Sequence, residues 1–275
     1  MTNVGRVGAA ALGIVTAVVL AVGLRPFKPG SVELPPMDRQ QVRETLFQLL
    51  QPVALANCEL QRFGEDNDGG YILCGNLLGE VKAGYSYGIS GYDGWGCEVS
   101  TQLKIKMHQY DCFDTRLPRC TGDTEFHPEC VAPKAFTESE RIFDSMEGQF
   151  TKNGDSGKRL VVKMDVEGAE WDSLEQASDQ TLDQIDQLAI EMHYVENPQF
   201  VKVVRRLKER FHVAHLHFNN FSCRRGLEPF PAWAYEVLFV NKRLTTVSAG
   251  APPARPTPVD TPNNPKAPDC QAPTP

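Results

Sequence analysis

The stretch Arg159-Leu-Val-Val-Lys-Met-Asp-Val-Glu-Gly-Ala-Glu-Trp171 is the part of this chain from which the rest can be read. Leu160, Val161 and Val162 make a short apolar, mostly β-branched run, the composition of a strand buried on both faces. Asp165, Glu167 and Glu170 follow directly, with Gly168 among them. In an open α/β sheet, ligands bind beyond the carboxyl ends of the parallel strands, so a buried strand ending in carboxylates and a glycine predicts an active-site edge. Asp165 ends the strand and is expected to face the reaction. Glu167 falls in the turn, and Gly168 allows that turn to be tight. Glu170 falls in the first turn of the next helix, where a capping carboxylate is equally at home.

Upstream, Ala83-Gly-Tyr-Ser-Tyr-Gly-Ile-Ser-Gly-Tyr-Asp-Gly-Trp-Gly96 predicts a strand ending at Gly88 and then a glycine loop. A helix from Glu98 to Lys104 is expected after it. Strand, glycine loop and helix form the first turn of many nucleotide-binding domains, because glycine admits a ligand close to the backbone and the helix N-terminus offers free N–H groups. The spacing is not a clean GxGxxG, and an ordinary surface turn is the competing reading. Ile105 to Asp111 is the next strand, and Asp111 stands where an acid can accept hydrogen bonds from both ribose hydroxyls. Asp114 is its neighbour and competitor.

The remaining elements alternate. A helix begins near Asp38, with Val42, Leu46, Leu49 and Leu50 at helical spacing, and stops before Pro52. Asp68-Gly69-Gly70 is a turn, and Tyr71 to Cys74 a short strand, so residues 58–74 read as a hairpin. Phe126 to Val131 reads as an edge strand because of Pro128. Ser139 to Phe150 reads as a helix, and another runs from Glu170 to Ser178. Gln184 to His193 is a strand with Glu191 and His193 on one face at its end. A helix from Asn197 to Arg210 follows. Phe211 to Asn220, with His215 and His217 on one face, and Ala232 to Val240 are the last strands. The expected fold is a doubly wound α/β sheet whose final pair is antiparallel.

Composition sets limits around this frame. The chain has 275 residues, 23% of them charged and 41% hydrophobic, enough for one substantial domain with extensions. The net charge of −7 speaks against a nucleic-acid surface built on phosphate contacts. Arg205, Arg206, Lys208 and Arg210 form a local basic stripe, read as a solvated helix face. Residues 1–28 contain an uncharged run from Val7 to Leu24, expected to be a membrane anchor, or a signal segment if cleaved, with orientation left open. Residues 29–56 read as a linker and leading helix. Residues 57–246 form the main domain, and residues 247–275 a disordered Pro-rich tail. The eight cysteines show no CxxC pair, so a zinc ribbon is not expected. Most are expected to be small buried hydrophobes, with one disulfide among Cys112, Cys120 and Cys130.

With the glycine loop, Asp111 and Lys163-Met-Asp-Val-Glu-Gly-Ala-Glu170 in place, the chain resembles the FkbM-type S-adenosylmethionine (SAM)-dependent methyltransferases. Asp68-Gly69-Gly70-Tyr71 and His217-Phe218-Asn219-Asn220 carry the likeness further, over about Asn57 to Leu244. The resemblance implies a seven-stranded Rossmann-like methyltransferase sheet with helices on both faces. It places Gly88, Ser90 and Gly91 against the methionine part of SAM, Asp111 on the ribose, and Asp165 between cofactor and acceptor. It departs at the loop, where Tyr87 stands near a position that is often acidic. The acceptor implied is a glycan or other small hydroxylated molecule. Asp165, Glu191 and His193 are the candidate catalytic groups, because an acceptor hydroxyl must lose a proton. A divalent metal on Asp165, Glu191, His193 and His217 is an alternative use of the same strand ends. Two other functions stay open: a membrane-anchored binding module whose irregular loop no longer holds SAM, and a metal-dependent sugar-nucleotide transferase.

Overall fold

The computed structural model describes residues 36–270. The expected N-terminal anchor lies outside them, and no helix among the described residues is long and apolar enough to cross a membrane. Helix α1 (Arg39–Leu49) starts at a capping box, in which the Asp38 carboxylate accepts from the Gln41 N–H while the Gln41 side chain accepts from the Asp38 N–H. Strands β1 (Leu60–Phe63) and β2 (Tyr71–Cys74) form the hairpin. Strand β3 (Ala83–Tyr87) leads into α2 (Gly94–Leu103), which begins earlier than its sequence suggests because Asp93 caps it by accepting from the Gly96 N–H. β4 (Lys106–Tyr110) follows, then β5 (Thr124–His127).

The next segment departs from expectation. Pro128 divides the expected edge strand into β5 and β6 (Glu129–Val131). The helix expected from Ser139 is instead a hairpin of β7 (Phe136–Glu138) and β8 (Arg141–Asp144), and only α3 (Met146–Lys152) is helical. Its two-residue turn holds Ser139 and Glu140 at φ 48° and 65°. Both central residues of such a turn need positive φ, and no Gly or Asn marks it. Ile142 and Phe143 mimic helical spacing, yet Phe143 stacks across the hairpin on Phe136 at 4.5 Å.

β9 (Leu160–Met164) is the opening stretch, fully buried. It is followed by α4 (Glu170–Gln176), α5 (Asp179–Gln184), β10 (Ile185–His193), α6 (Pro198–Arg210), β11 (Phe211–Phe218) and β12 (Ala234–Asn241). The main sheet has seven strands in the order β11-β12-β10-β9-β3-β4-β5. β12 runs antiparallel to both its neighbours, and the other pairings are parallel. This is the helix-flanked, mostly parallel sheet with a final antiparallel strand that was expected. The chain runs outward from β3 through β4 to β5 and then returns to β9 on the other side of β3. The crevice between β3 and β9 is therefore the topological switch point, where such sheets take ligands.

Two layers cover the face that carries Lys163, Gln187 and Glu191. The hairpin is tied to the sheet through Gln187, whose side chain accepts from the Cys74 N–H at 2.8 Å and donates to the Cys74 carbonyl at 3.0 Å. Beside it residues 247–270 lie as a C-terminal strap, a correction to the disorder expected there. Its Asn263 and the side chain of Asp260 are buried, and it is held by polar contacts and a covalent link where apolar side chains are few. The Asn220 side chain donates to the carbonyls of Asn264, Ala267 and Pro268.

All eight cysteines are paired, in Cys58–Cys74, Cys97–Cys120, Cys112–Cys130 and Cys223–Cys270. The reading of most as free buried hydrophobes is corrected, because their partners are brought together by the sheet and the strap. The basic stripe of α6 is also structural in part. Arg206 donates to the Leu174 and Glu175 carbonyls that end α4, and Lys208 donates to the Leu49 carbonyl at 2.6 Å.

Candidate active site

At the switch point lies a cavity of about 490 Å³, within the size range of cofactor and small-ligand sites. Its walls come from the strand ends singled out by sequence: Gly88 and Ser90 after β3, Asp111 after β4, and Asp165 and Glu167 after β9. Val131 of β6 and Phe143 of β8, which pair in a small three-stranded sheet with β7, add an apolar wall together with Phe113.

The loop after β3 is shaped by its backbone. Gly88 sits at φ +74°, and a Cβ there would lie 1.6 Å from the Asp165 carbonyl oxygen. Only glycine lets the two strand ends approach this closely. Gly91 and Ser90 also have positive φ. Ser90 is secured there because its N–H donates to Asp111 Oδ2 at 2.8 Å. Asp111 Oδ1 accepts from the N–H groups of Phe113 and Asp114, at 2.8 and 2.9 Å. A carboxylate offers about four lone-pair sites, so Asp111 keeps room for one further donor, on Oδ2. It cannot take both ribose hydroxyls, as its position alone suggested. Asp114 is occupied by Arg116 on the rim.

Lys163 carries contacts that its place in the motif does not reveal. It is buried, and its Nζ donates to the carbonyls of Tyr87 and Gly88 at 3.2 and 2.9 Å. The cation thereby ties the glycine loop to β9, and it stands 3.8 Å from Asp165 Oδ2. Tyr71, from the hairpin, donates its hydroxyl to the same oxygen at 2.9 Å. Burial holds the Tyr71 phenol well above its ordinary pKa, and the charges of Asp165, Glu191 and Glu236 add to this, so it stays a donor. Asp165 Oδ1 takes no hydrogen bond from the described residues, and the residue lines the cavity.

His193 sits behind Asp165. Its Nδ1 is 3.2 Å from Glu170 Oε1, which also accepts from the His193 N–H at 2.7 Å. Glu170 Oε2 accepts from the Gly168 N–H at 2.8 Å. Glu170 is thus fully buried and braces both the turn and the imidazole. The opposite nitrogen, Nε2, lies 3.5 Å from Glu167, 3.8 Å from Glu191 and 4.0 Å from Asp165. Burial alone would lower the His193 pKa. The Glu170 hydrogen bond and charge, with Asp165 and Glu167, outweigh it and raise the value.

Glu191 stands beside His193 but is hydrogen-bonded elsewhere, and His217 is held by other groups. Glu191 is buried and accepts from the Asn219 side chain at 2.9 Å. Burial drives its carboxyl well above the usual range, and the charges of Asp165 and Glu236 push it the same way. Glu191 pairs across the sheet with Glu236, which pairs with His217. His217 contacts Glu236 and Asp269 of the strap, both at 3.4 Å. The four-residue metal set of Asp165, Glu191, His193 and His217 is therefore not brought together. Asp165, Glu167 and His193 are, with ligand atoms within 4.8 Å of one another.

Beside this cluster Tyr194 stands 54% exposed at φ 67°. Its ring stacks on Trp233 at 5.8 Å and lies over Gly168, where a Cβ would meet it at 3.2 Å. Asp68, also on the cavity wall, accepts from Asn263 at 3.1 Å. Tyr71 and Lys163 lay in quoted motifs, but only folding reveals their roles. The Tyr71–Asp165 contact spans 94 positions of sequence.

No family model and no curated protein sequence matches the chain.

Proposed function

We propose that the chain is a SAM-dependent methyltransferase of FkbM type that transfers a methyl group to a hydroxyl of a saccharide or other small hydroxylated acceptor. The observation that carries this reading is the single cavity at the switch point, walled together by the glycine loop, Asp111 and Asp165. The residues present fit the cofactor. Val131 and Phe143 offer apolar surface to its base, and the remaining lone pair of Asp111 suits one ribose hydroxyl.

When bound, SAM supplies a methyl group already activated on a sulfonium. The chain has then to align the acceptor and receive a proton, and alignment is the larger contribution. Asp165 Oδ1 accepts the hydrogen bond of the acceptor hydroxyl, while Tyr71 and Lys163 hold the other oxygen of that carboxylate in place. As the acceptor oxygen forms its third bond, to the methyl carbon, and the C–S bond breaks, its proton becomes strongly acidic, so a carboxylate suffices as the base. His193, oriented by Glu170, stands behind Asp165 as a further proton acceptor. Tyr194 and Trp233 form an aromatic platform beside these groups, suited to the apolar face of a sugar ring. Four disulfides favour an oxidising compartment, secreted or lumenal.

Calorimetry of the oxidised 275-residue chain with SAM and S-adenosylhomocysteine tests the proposal. Absence of binding for both would refute it. Asp165→Asn is expected to keep cofactor affinity within a few-fold and to lower turnover by about 10²–10⁴. The Asp165–Glu167–His193 cluster favours one second reading, a metal-dependent sugar-nucleotide transferase. Binding of a sugar nucleotide only with added Mn²⁺, and none of SAM, would establish that instead.

A further inference from the structure

The outer edge of the main sheet carries a second group of ligating side chains, unconnected with the cavity chemistry. In the parallel register of β4 and β5, Glu125 lies beside His108 and His127 beside Tyr110. His108, Glu125 and His127 therefore share one face of the sheet. Their ligand atoms lie within 4.8 Å of one another, and His108 Nδ1 stands 3.0 Å from His127 Nε2.

His108 is held from behind. Its Nε2 is 3.3 Å from Asp155 Oδ2. Asp155 is 2% exposed, and its carboxylate also accepts from the Tyr85 hydroxyl at 2.8 Å and from Lys158 at 2.6 Å. Nε2 thus faces the buried carboxylate, while Nδ1, on the other side of the ring, faces His127. A buried carboxylate behind an imidazole is the arrangement that orients and strengthens metal-binding histidines. Glu125 Oε2 meets Lys106 at 3.2 Å, and its other oxygen carries no hydrogen bond or ion pair among the described residues.

We propose that His108, His127 and Glu125 form a binding site for a zinc-class divalent ion, with Asp155 as the carboxylate that positions His108. Two imidazoles and one carboxylate are a common ligand set for zinc, leaving a fourth position for water. Without the ion, the two ring nitrogens share one hydrogen bond. With it, both lone pairs turn to the metal. The site pins the four-residue edge strand β5 to β4. β4 runs on into Tyr110 and Asp111 of the cavity wall, and Tyr110 stacks on His127 at 4.5 Å. The ion is a clasp on the wall that carries Asp111, and it takes no part in methyl transfer.

The test is a Zn²⁺ titration by calorimetry on the untagged, chelator-stripped, oxidised chain, with His127→Gln, Glu125→Gln and His193→Gln beside the unmodified protein. One zinc is expected to bind with an affinity at least about tenfold weaker in His127→Gln and unchanged in His193→Gln. Zinc is also expected to raise the melting temperature of the unmodified chain and not that of His127→Gln, whose half-buried edge position lets it fold. Absence of zinc binding would overturn the proposal, as would full affinity in His127→Gln or loss of all binding in His193→Gln alone.

Discussion

Removing the Cys223–Cys270 bridge, as Cys223→Ser with Cys270→Ser, tests whether the C-terminal strap is a working part of the fold. The bridge spans 47 positions. Closing a loop of that length in the unfolded chain removes roughly 14 cal/mol/K, or about 4 kcal/mol at 25 °C, by the chain-entropy relation. None of the other three bridges lies within this loop, so their constraints do not shorten it. In the folded state the variant also frees the end of the strap, where Asp269 meets His217 and three backbone carbonyls meet Asn220. The expected outcome under non-reducing conditions is a loss of about 4 kcal/mol in urea unfolding, seen mainly in the midpoint. Hydrogen exchange should rise most across residues 264–270, while protection of β9 and β10 falls by no more than the loss in global stability. A loss below about 1 kcal/mol with unchanged protection of the strap would refute the reasoning.

Three further outcomes are expected. Glu170→Gln removes the charge, and weakens the hydrogen bond, that raise the His193 pKa; since His193 accepts a proton only when neutral, the rising limb of the pH–rate profile should move to lower pH and turnover should fall. His217 is raised to about 9 because its hydrogen bond to Glu236 and the nearby acidic charges outweigh burial, which acts the other way. A raised folded-state pKa stabilises fully below the unfolded value of about 6.5, and this is lost as pH rises toward about 9, by about 3 kcal/mol. Chemical denaturation across that range should show the fall, and His217→Gln should flatten it. Gly88→Ala forces a left-handed alanine, which costs roughly 1–2 kcal/mol, and drives its Cβ into the Asp165 carbonyl. A stability loss of at least that size is expected, and calorimetry should show SAM binding abolished.

Much of the sheet is legible in the sequence because its signals are local. Val161 and Val162 announce a buried strand wherever they lie, Asn197-Pro198 announces a helix start, and Asp111 and Asp165 announce strand ends. The tight turn at Gly168, with its φ of +106°, is legible for the same reason. Where a local signal is ambiguous the reading fails: the spacing of Ile142, Phe143 and Met146 suits a helix as well as the hairpin that forms. The C-terminal segment failed differently, since its composition lacks a core of its own and says nothing of the polar sites on the body that receive it.

What the sequence by itself determined is therefore the order of the main sheet's strands and most of their helices, and the identity of the residues at the strand ends. The tertiary structure alone decided which of those residues meet. It put Tyr71 and Lys163 on Asp165, Glu170 behind His193, and three donors on Asp111, leaving one lone pair. It also sent His217 to Glu236 and the strap, and paired all eight cysteines. The physical reason is range. Periodicity and turn chemistry act over a few residues, whereas these partners are chosen by a sheet that must bury both faces at once, and that choice exists only when the whole chain has folded.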